Sequence, residues 1–391
     1  MNKYVEYLMN RWIQGKYRPT AGGEGKPKAI LAICRQPLGD TVLASPLLKG
    51  LRQAYPNHHF TLVCSPENFN LVELCPYADE VLPYGSEVQG SYLRGHFHKA
   101  LAFAKEHFAA YDYELAVIPS TGMPSLPEAW LAYFSGADRR FSYSEKFNPQ
   151  MHKEFMGMYD NFFTVVHHDE KVEHEVERNT EIFELLELPK AEDKLELWTD
   201  DKDIAASRKI WQEKQVPDEK IKLLVNLSTS CPVKDWPVER YIEVCERLRS
   251  QYDISFILIG AGKTARSYGD TFLKKLPEAY DFINQTTIRQ TIALMQGSDM
   301  YLGGDTGPAH FASACHLRGV VIYGVARDIK STFENSVLRL SPWQASMKVV
   351  QPDNALPGCE YGCKAEKPHC IAQVGTDTVY HCLAEMISEG M

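Results

Sequence analysis

The sequence predicts an α/β protein of two doubly wound domains that face a cleft, each built on a parallel sheet covered by helices. Three observations predict this class. Apolar strand-like runs alternate with helical periods from residue 28 to 143, the rhythm is lost over residues 141–195, and it returns at residue 221. Such alternation is typical of parallel sheets with both faces covered. The length of 391 residues also exceeds what one ordinary core supports.

The first half of the chain carries five predicted strands separated by segments of helical period. Each strand is a short run of apolar residues, and each helical segment repeats its apolar residues every three or four positions. The strands are expected at residues 28–34, 59–64, 78–84, 114–119 and 136–143, and the helices at 39–56, 92–108 and 125–134.

The second half repeats this organisation after a helix near residues 172–188. Strands are expected at residues 221–228, 254–260, 280–284, 299–304 and 318–324, and helices at 238–251, 288–298 and from residue 307 onward. We therefore expect an N-terminal helical extension at 1–27, a first domain at 28–170, a linking helix at 171–200, a second domain at 201–350 and a cysteine-rich tail at 351–391.

Composition excludes several classes of protein. The net charge of −9 argues against a dedicated nucleic-acid binder, and 44% apolar with 24% charged residues is typical of globular chains. No run reaches the ~18 apolar residues of a membrane span, and the N-terminus lacks the apolar region of a signal peptide. We expect a cytoplasmic protein. Its N-terminal helix either packs on its own domain or makes a peripheral contact with the inner membrane.

One glycine-rich segment resembles a nucleotide fingerprint without meeting its requirements. Gly260, Gly262 and Ala265 follow a strand, as in dinucleotide-binding domains. That strand is the second of its unit rather than the first, and Asn284 ends the next strand where an acid is expected. NAD binding is therefore not the favoured interpretation.

The loop after the first strand carries an acid. Asp40 falls in the first turn of the following helix, so it lies at the carboxyl edge of the sheet and faces the predicted cleft. Two interpretations are open: a catalytic carboxylate, or a first-turn acid that stabilises the helix dipole.

Two loops of the second domain carry groups that bind phosphate. After the strand at 221–228, Thr229 and Ser230 supply hydroxyls and Lys234 supplies a cation, unless this lysine is only a solvated surface group. After the strand at 299–304, Thr306 and Gly307 open a helix whose first N–H groups suit an anion. Asp305 and His310 belong to the same loop: Asp305 suits sugar hydroxyls, and His310 is either a ligand contact or a structural histidine.

Together these loops predict sugar transfer from a nucleotide diphosphate. A carboxylate removes a proton from the acceptor hydroxyl, while the lysine and the N–H groups stabilise the departing diphosphate. No paired-acid metal motif is present, so catalysis is expected to need no metal or other cofactor. A protein that binds a nucleotide sugar without turnover is the alternative from another class.

The chain resembles glycosyltransferase family 9, the bacterial ADP-heptose heptosyltransferases with the GT-B fold of two Rossmann-like domains. The motifs LGDTVLASPLLKGLRQAYP, HEVERN, KDWPVERY and GGDTGPAHFASA carry the resemblance. It implies that Asp40 is the catalytic base, that Lys234, Thr306 and Gly307 contact the donor phosphates, and that Asp305 and His310 contact the donor sugar. The loop GAGKTARS lacks the glutamate that family members place beside the nucleoside, so the donor base stays open.

The resemblance implies an inverting transfer of heptose from an ADP-heptose-like nucleotide sugar to a glycolipid or glycan of the bacterial surface. The phosphorylated inner core of lipopolysaccharide is the leading acceptor. A hydroxyl of a surface protein is the alternative, and the sequence does not choose between them.

Four cysteines crowd the tail. Cys359, Cys363, Cys370 and Cys382 offer four thiolates, a set that suits a structural zinc or iron ion. Their spacing is looser than paired CxxC motifs, so four reduced thiols are the alternative. The cysteine-rich tail of this chain resembles those of protein-modifying heptosyltransferases that carry iron there.

Overall fold

The fold is described by a computed structural model, which covers residues 25–85, 87, 92–119, 125–168, 173–330, 336–363 and 365–390. These residues form two compact units. The first holds residues up to 168 and Glu175–Asp193, and the second holds residues 173–174 and everything from Lys194. The helix expected within residues 1–27 lies outside the described residues, apart from residues 25–27. No helix in the described ranges is long and apolar enough to cross a membrane.

The first unit contains a six-stranded parallel sheet in the order β3-β2-β1-β4-β5-β6. Its strands are β1 (Lys28–Cys34), β2 (His59–Cys64), β3 (Glu80–Pro83), β4 (Asp112–Ile118), β5 (Arg139–Tyr143) and β6 (Val165–His167). The first five confirm the prediction. The sixth falls where no strand is expected, because three residues at a sheet edge are too few to show a period. It pairs with β5 through Phe141 and Val165.

Seven helices accompany this sheet in the described residues: α1 (Leu38–Leu43), α2 (Ser45–Ala54), α3 (Phe69–Val72), α4 (Tyr92–His107), α5 (Leu126–Phe134), α6 (Pro149–Phe155) and α7 (Glu175–Leu185). The prediction of a single helix at 39–56 is wrong, because the helix is interrupted at Ala44. Pro46 lacks the N–H that would continue the helix to Val42, and the Ser45 hydroxyl donates to the Val42 carbonyl instead, at 2.7 Å.

The second unit contains another six-stranded parallel sheet, in the order β12-β11-β10-β7-β8-β9. Its strands are β7 (Ile221–Asn226), β8 (Ile254–Ile259), β9 (Tyr280–Asp281), β10 (Met300–Gly304), β11 (Arg318–Ile322) and β12 (Met347–Val350). The prediction ends the series at β11, and the short edge strand β12 extends it.

The helices of the second unit include four that the sequence analysis does not predict, α8, α10, α13 and α14. The helices in the described residues are α8 (Asp201–Glu213), α9 (Val238–Arg249), α10 (Gly262–Leu273), α11 (Ile288–Gln296), α12 (Gly307–Ala314), α13 (Ser336–Leu340) and α14 (Thr376–Gly390). The last one packs against α9 and β11, and its side chains Val379, Leu383 and Ile387 enter the core of the unit. The cysteine-rich tail is therefore part of the second unit.

The two sheets share one topology, and each unit has its own apolar core. Counted within its unit, each strand order is 3-2-1-4-5-6. The order reverses between the first and fourth strands, and the carboxyl ends of the strands at such a reversal are where doubly wound sheets bind ligands. These points lie after β1 and β4 in the first unit and after β7 and β10 in the second.

Candidate functional site

The segments after β7 and β10 place a cation beside an acid. Lys234, at the end of the 3₁₀ turn Pro232–Lys234, donates from Nζ to Oδ2 of Asp305 at 3.0 Å. The lysine side chain is 40% exposed and the aspartate side chain 7% exposed. The lysine thus presents a positive group to solvent while its carboxylate partner is held beneath it.

The rest of the loop after β7 is tied together by its own polar groups. The amide of Thr229 donates to Oδ1 of Asp235 at 2.6 Å, and the amide of Cys231 donates to the Thr229 hydroxyl at 3.1 Å. Burial raises the pKa of Asp235, and the hydrogen bonds from Thr229 oppose that shift. Ser230 is exposed. The loop is therefore braced from inside, with Ser230 and Lys234 outward.

The helix that follows β10 begins as an anion-binding helix should. Its N-cap, Thr306, has extended backbone angles and its hydroxyl does not cap the helix. Gly307 is the first helical residue and Pro308, which has no N–H, is the second. The Thr306 hydroxyl and the Gly307 amide thus lie at the positive end of the helix, one and two residues after Asp305.

Two glycines let these loops come together. A Cβ on Gly304 would lie 3.0 Å from Cγ2 of Thr229 and 3.9 Å from the Lys234 carbonyl oxygen. The side chain of Tyr301 covers Gly303 in the same way. The double glycine at the end of β10 is therefore required by close packing at this edge.

His310 is buried one turn into α12. It is 4% exposed, and burial lowers its pKa to about 4, against the opposing field of Asp305. Its Nδ1 has no hydrogen-bond partner among the described residues. A neutral imidazole with an unpaired nitrogen beside Asp305 is suited to contact a polar ligand group.

His174 and Trp343 support this region, and the sequence analysis assigns neither a role. Nε2 of His174 donates to the Ser341 carbonyl at 2.8 Å, and its ring stacks on Trp343 at 4.5 Å. The Ser313 hydroxyl of α12 donates to the Trp343 carbonyl at 3.0 Å. The electrostatic influence of His174 reaches His310. The sequence signal for His174 is the motif HEVERN, which begins at this residue.

Asp40 lies in the first turn of α1, half-buried, at the carboxyl end of β1. Asn68 fixes the start of this helix by donating to the Gln36 carbonyl at 2.7 Å and to the Thr41 hydroxyl at 2.8 Å. Asn179, the asparagine of HEVERN, donates to the Leu43 carbonyl at 3.0 Å. The buried side-chain amides of Asn68 and Asn179 thus hold the backbone on both sides of Asp40. Nothing in the sequence spacing indicates the role of Asn68.

The tail brings together some of its cysteines and a histidine. Among the described residues, Cys359, His369 and Cys370 form a group whose ligand atoms lie within 4.8 Å of one another. Nδ1 of His369 is 3.5 Å from the Cys359 sulfur and 3.8 Å from the Cys370 sulfur. Cys363 interacts with Cys359, whereas Cys382 lies on α14 near Lys348 and is not a member of the group.

This tail also contacts the loop after β7. The indole nitrogen of Trp236 donates to the Val374 carbonyl at 3.0 Å, and Nη1 of Arg240 donates to the Ala372 carbonyl at 2.7 Å. The cysteine group and the Lys234 loop are therefore joined through residues 370–374.

Comparison with known proteins gives a consistent family match. The profile of glycosyltransferase family 9 (heptosyltransferase) matches residues 106–369. A lipooligosaccharide heptosyltransferase 2 of Campylobacter jejuni is 23% identical over 152 residues, which are 37% of this chain and 44% of that protein. The chain thus spans less than half the length of that curated relative.

Solved structures share the fold at low identity. A glycosyl transferase family 9 protein from Veillonella parvula has a TM-score of 0.74 at 17% identity, covering 95% of this chain and 100% of its own. The E. coli ADP-heptose heptosyltransferase II follows at 0.67 and 16%, covering 93% and 99%. The E. coli heptosyltransferase WaaC with ADP gives 0.65 and 16%, covering 91% and 99%. The expected GT-B class of fold is confirmed.

Proposed function

The chain belongs to glycosyltransferase family 9, and from this premise we propose that it is an inverting heptosyltransferase. The donor is ADP-heptose or a close relative, and the acceptor is a hydroxyl of the lipopolysaccharide core or a similar bacterial surface glycan. The observation that carries the proposal is the Lys234–Asp305 pair beside the start of α12. Similar proteins were solved with ADP and with a fluorinated ADP-heptose, which favours this donor.

The second unit binds the donor in this proposal. Lys234 and the Gly307 amide neutralise the diphosphate, and the hydroxyls of Thr229, Ser230 and Thr306 add hydrogen bonds to its oxygens. Charge on the diphosphate grows as the bond to the sugar breaks, so these groups stabilise the transition state more than the bound donor. Asp305 and His310 hold hydroxyls of the heptose.

Asp40 of the first unit is the base. It accepts the proton of the acceptor hydroxyl as that oxygen attacks the anomeric carbon, and the bond from this carbon to the diphosphate oxygen breaks with its electron pair leaving on ADP. One bond forms and one breaks at the same carbon, with inversion. The donor side uses the Lys234 cation and N–H groups of the chain in this proposal, so the step needs no metal.

The tail holds a structural zinc or iron ion in this proposal. Two thiols and an imidazole converge, and Cys363, which interacts with Cys359 but lies outside that group, is the fourth ligand in this proposal. Such a donor set suits zinc or iron. The ion stabilises residues 359–370 and takes no part in the transfer.

Metal analysis of the purified chain decides between the two ligand sets. About one ion per chain is expected, retained in Cys382→Ser and lost in His369→Ala. A content well below one in the unaltered protein contradicts the metal proposal. Loss in Cys382→Ser with retention in His369→Ala would instead restore the four-cysteine set expected from the sequence.

The experiment that tests the function is nucleotide release with a panel of sugar nucleotides, with Lys234→Ala as the variant and Lys209→Ala as the matched control. Lys209 is an exposed residue of α8, outside the proposed donor contacts. We expect ADP-heptose to bind and to release ADP slowly, and Lys234→Ala to bind ADP at least tenfold more weakly. Binding of another donor in its place would reject heptose but keep glycosyl transfer.

A further inference from the structure

The first unit has a second ion pair, at its own reversal of strand order. Nη1 of Arg35, the residue directly after β1, lies 3.3 Å from Oε1 of Glu128, in the first turn of α5 after β4. Nε of Arg35 also donates to the Tyr84 carbonyl at 3.1 Å. The pair joins the ends of the two strands between which the order of the sheet reverses.

This arrangement repeats that of the second unit. There too, a basic side chain from the loop after the first strand meets an acid from the segment after the fourth, as Lys234 meets Asp305. The sheets have the same order, so each pair lies at the reversal of strand order in its own sheet. Doubly wound sheets bind their ligands at this reversal of strand order. The position of the pair therefore favours a role in ligand binding over a purely structural one.

The polar groups of the pair are incompletely satisfied. Glu128 keeps 8% and Arg35 10% of its side chain exposed. Oε2 of Glu128 and the hydroxyl of Ser125 are both buried without a well-formed hydrogen bond to the described residues. The hydroxyl and amide of Ser125 still lie near enough to the carboxyl to lower its pKa by hydrogen bonding. Burial outweighs that effect and raises this pKa to about 7. Buried polar atoms are normally paired, so an unpaired oxygen beside a guanidinium points to a missing partner.

The chemistry of the pair favours a hydroxyl-rich ligand over an anion. Arg35 has five N–H donors, and the described residues accept from Nε and Nη1 only. Arg35 therefore has unused N–H donors beside Oε2 of Glu128, which accepts no well-formed hydrogen bond from the described residues. Neighbouring hydroxyls of a sugar ring supply both, since each hydroxyl donates one hydrogen bond and accepts others. When Glu128 is ionised the pair is neutral overall, so it offers no net positive charge to hold a phosphate.

We propose that Arg35 and Glu128 form the sugar subsite of the glycosyl acceptor. Glu128 accepts from one ring hydroxyl and Arg35 donates to its neighbour, while Asp40, five residues after Arg35, takes the proton of the reacting hydroxyl. The terminal torsion of a glutamate is broad, so a small turn of the carboxyl presents Oε2 without backbone movement. The inference rests on the proposed function, because it assigns the acceptor of that reaction.

The test uses the full chain with two variants and a matched control. Glu128→Gln removes the charge at constant shape, and Arg35→Lys keeps the charge but loses the planar fork. The control is Asp112→Asn. Asp112 pairs with Lys28 at 2.6 Å, and this ion pair joins the same two strands, β1 and β4, at their amino ends. The probe is the inner-core oligosaccharide of lipopolysaccharide from a heptose-deficient strain.

Acceptor binding is measured by calorimetry without donor, and ADP binding separately. We expect both variants to bind the oligosaccharide at least tenfold more weakly than the unaltered protein, with ADP affinity and melting temperature nearly unchanged. Asp112→Asn should match the unaltered protein in both titrations. In turnover, the acceptor KM should rise by the same factor, with kcat at saturation nearly retained.

Three results overturn the inference: no oligosaccharide binding by the unaltered protein, affinity within twofold in both variants, or an equal loss in Asp112→Asn. Competition by inorganic phosphate at the oligosaccharide site would also overturn it, by making the subsite an anion site. Failure of the proposed function looks different, because the unaltered protein then binds neither ADP nor ADP-heptose.

Discussion

At the scale of the residue, the proposed donor site depends on two opposite charges of unequal exposure. Asp305 is nearly buried while its partner Lys234 is 40% exposed, so the acid fixes the lysine and leaves its charge available to a ligand. His310 lies behind them and is neutral at physiological pH, since burial lowers its pKa to about 4. The proposed site therefore presents one cation to a diphosphate, with the carboxylate of Asp305 beneath it and no second positive charge from His310.

His310 gives stability a pH dependence. Its pKa is about 6.5 when unfolded and about 4 when folded, so the unfolded chain binds the extra proton as the pH falls between these values. Stability that is complete above pH 6.5 should fall by about 2 kcal/mol from pH 7 to pH 5 because of this group. Urea unfolding at both values checks this, and His310→Gln should lose correspondingly less. Equal losses in the two proteins would refute it.

Residues that directly follow a strand could be placed in the fold from the sequence. Residues held by contacts between distant parts of the chain could not. Asp40, Lys234 and Asp305 each follow a strand that the apolar pattern reveals, so the sequence alone placed them at a sheet edge. Asn179 supports the Leu43 carbonyl across 136 positions, and no periodicity reports such a pairing. Glu128 was missed for the same reason, since its partner Arg35 lies 93 positions away.

At the scale of the element, length decides what the sequence reveals. Strands such as β1 and β7 are long enough to show an apolar run, whereas β6 and β12, with three and four residues at sheet edges, are not. The break between α1 and α2 follows from one proline, which a helical period does not report. The sequence analysis gives residues 351–391 their own bounds as a tail, and α14 within it supplies core residues of the second unit.

The double glycine at the end of β10 can be tested by adding one methyl group. In Gly304→Ala the new Cβ would press on Thr229 at 3.0 Å and shift the loop that carries Lys234. We expect a loss of roughly 1 kcal/mol in unfolding free energy, the low end for overpacking, together with weaker ADP binding by calorimetry. Gly375→Ala is the control, because its Cβ would meet nothing within 4 Å. Unchanged ADP affinity in Gly304→Ala would show that the loop tolerates the shift.

At the scale of the whole molecule, two cores carry the fold. Each unit buries its own apolar cluster around its own sheet. Units with separate cores often unfold in separate steps. The proposed donor contacts belong to the second unit alone, so a nucleotide should stabilise that unit selectively.

Scanning calorimetry with and without ADP checks this expectation on the full chain. We expect two transitions, of which ADP at a hundred times its Kd raises only one, by about 2.7 kcal/mol in stability. Hydrogen exchange should assign the raised transition to β7 and β10. A single transition, or equal stabilisation of both, would contradict independent cores.

The central claim is that Asp40 is the base of a sugar transfer rather than an acid that only stabilises α1. The most direct measurement is the rate of heptose transfer by Asp40→Asn, set beside its affinity for ADP. Glu239→Gln is the control, since Glu239 is an exposed first-turn acid of α9. We predict a rate lower by roughly 10²–10⁴ with ADP affinity unchanged in Asp40→Asn, and no change in Glu239→Gln. A rate in Asp40→Asn within threefold of the unaltered enzyme would contradict the account.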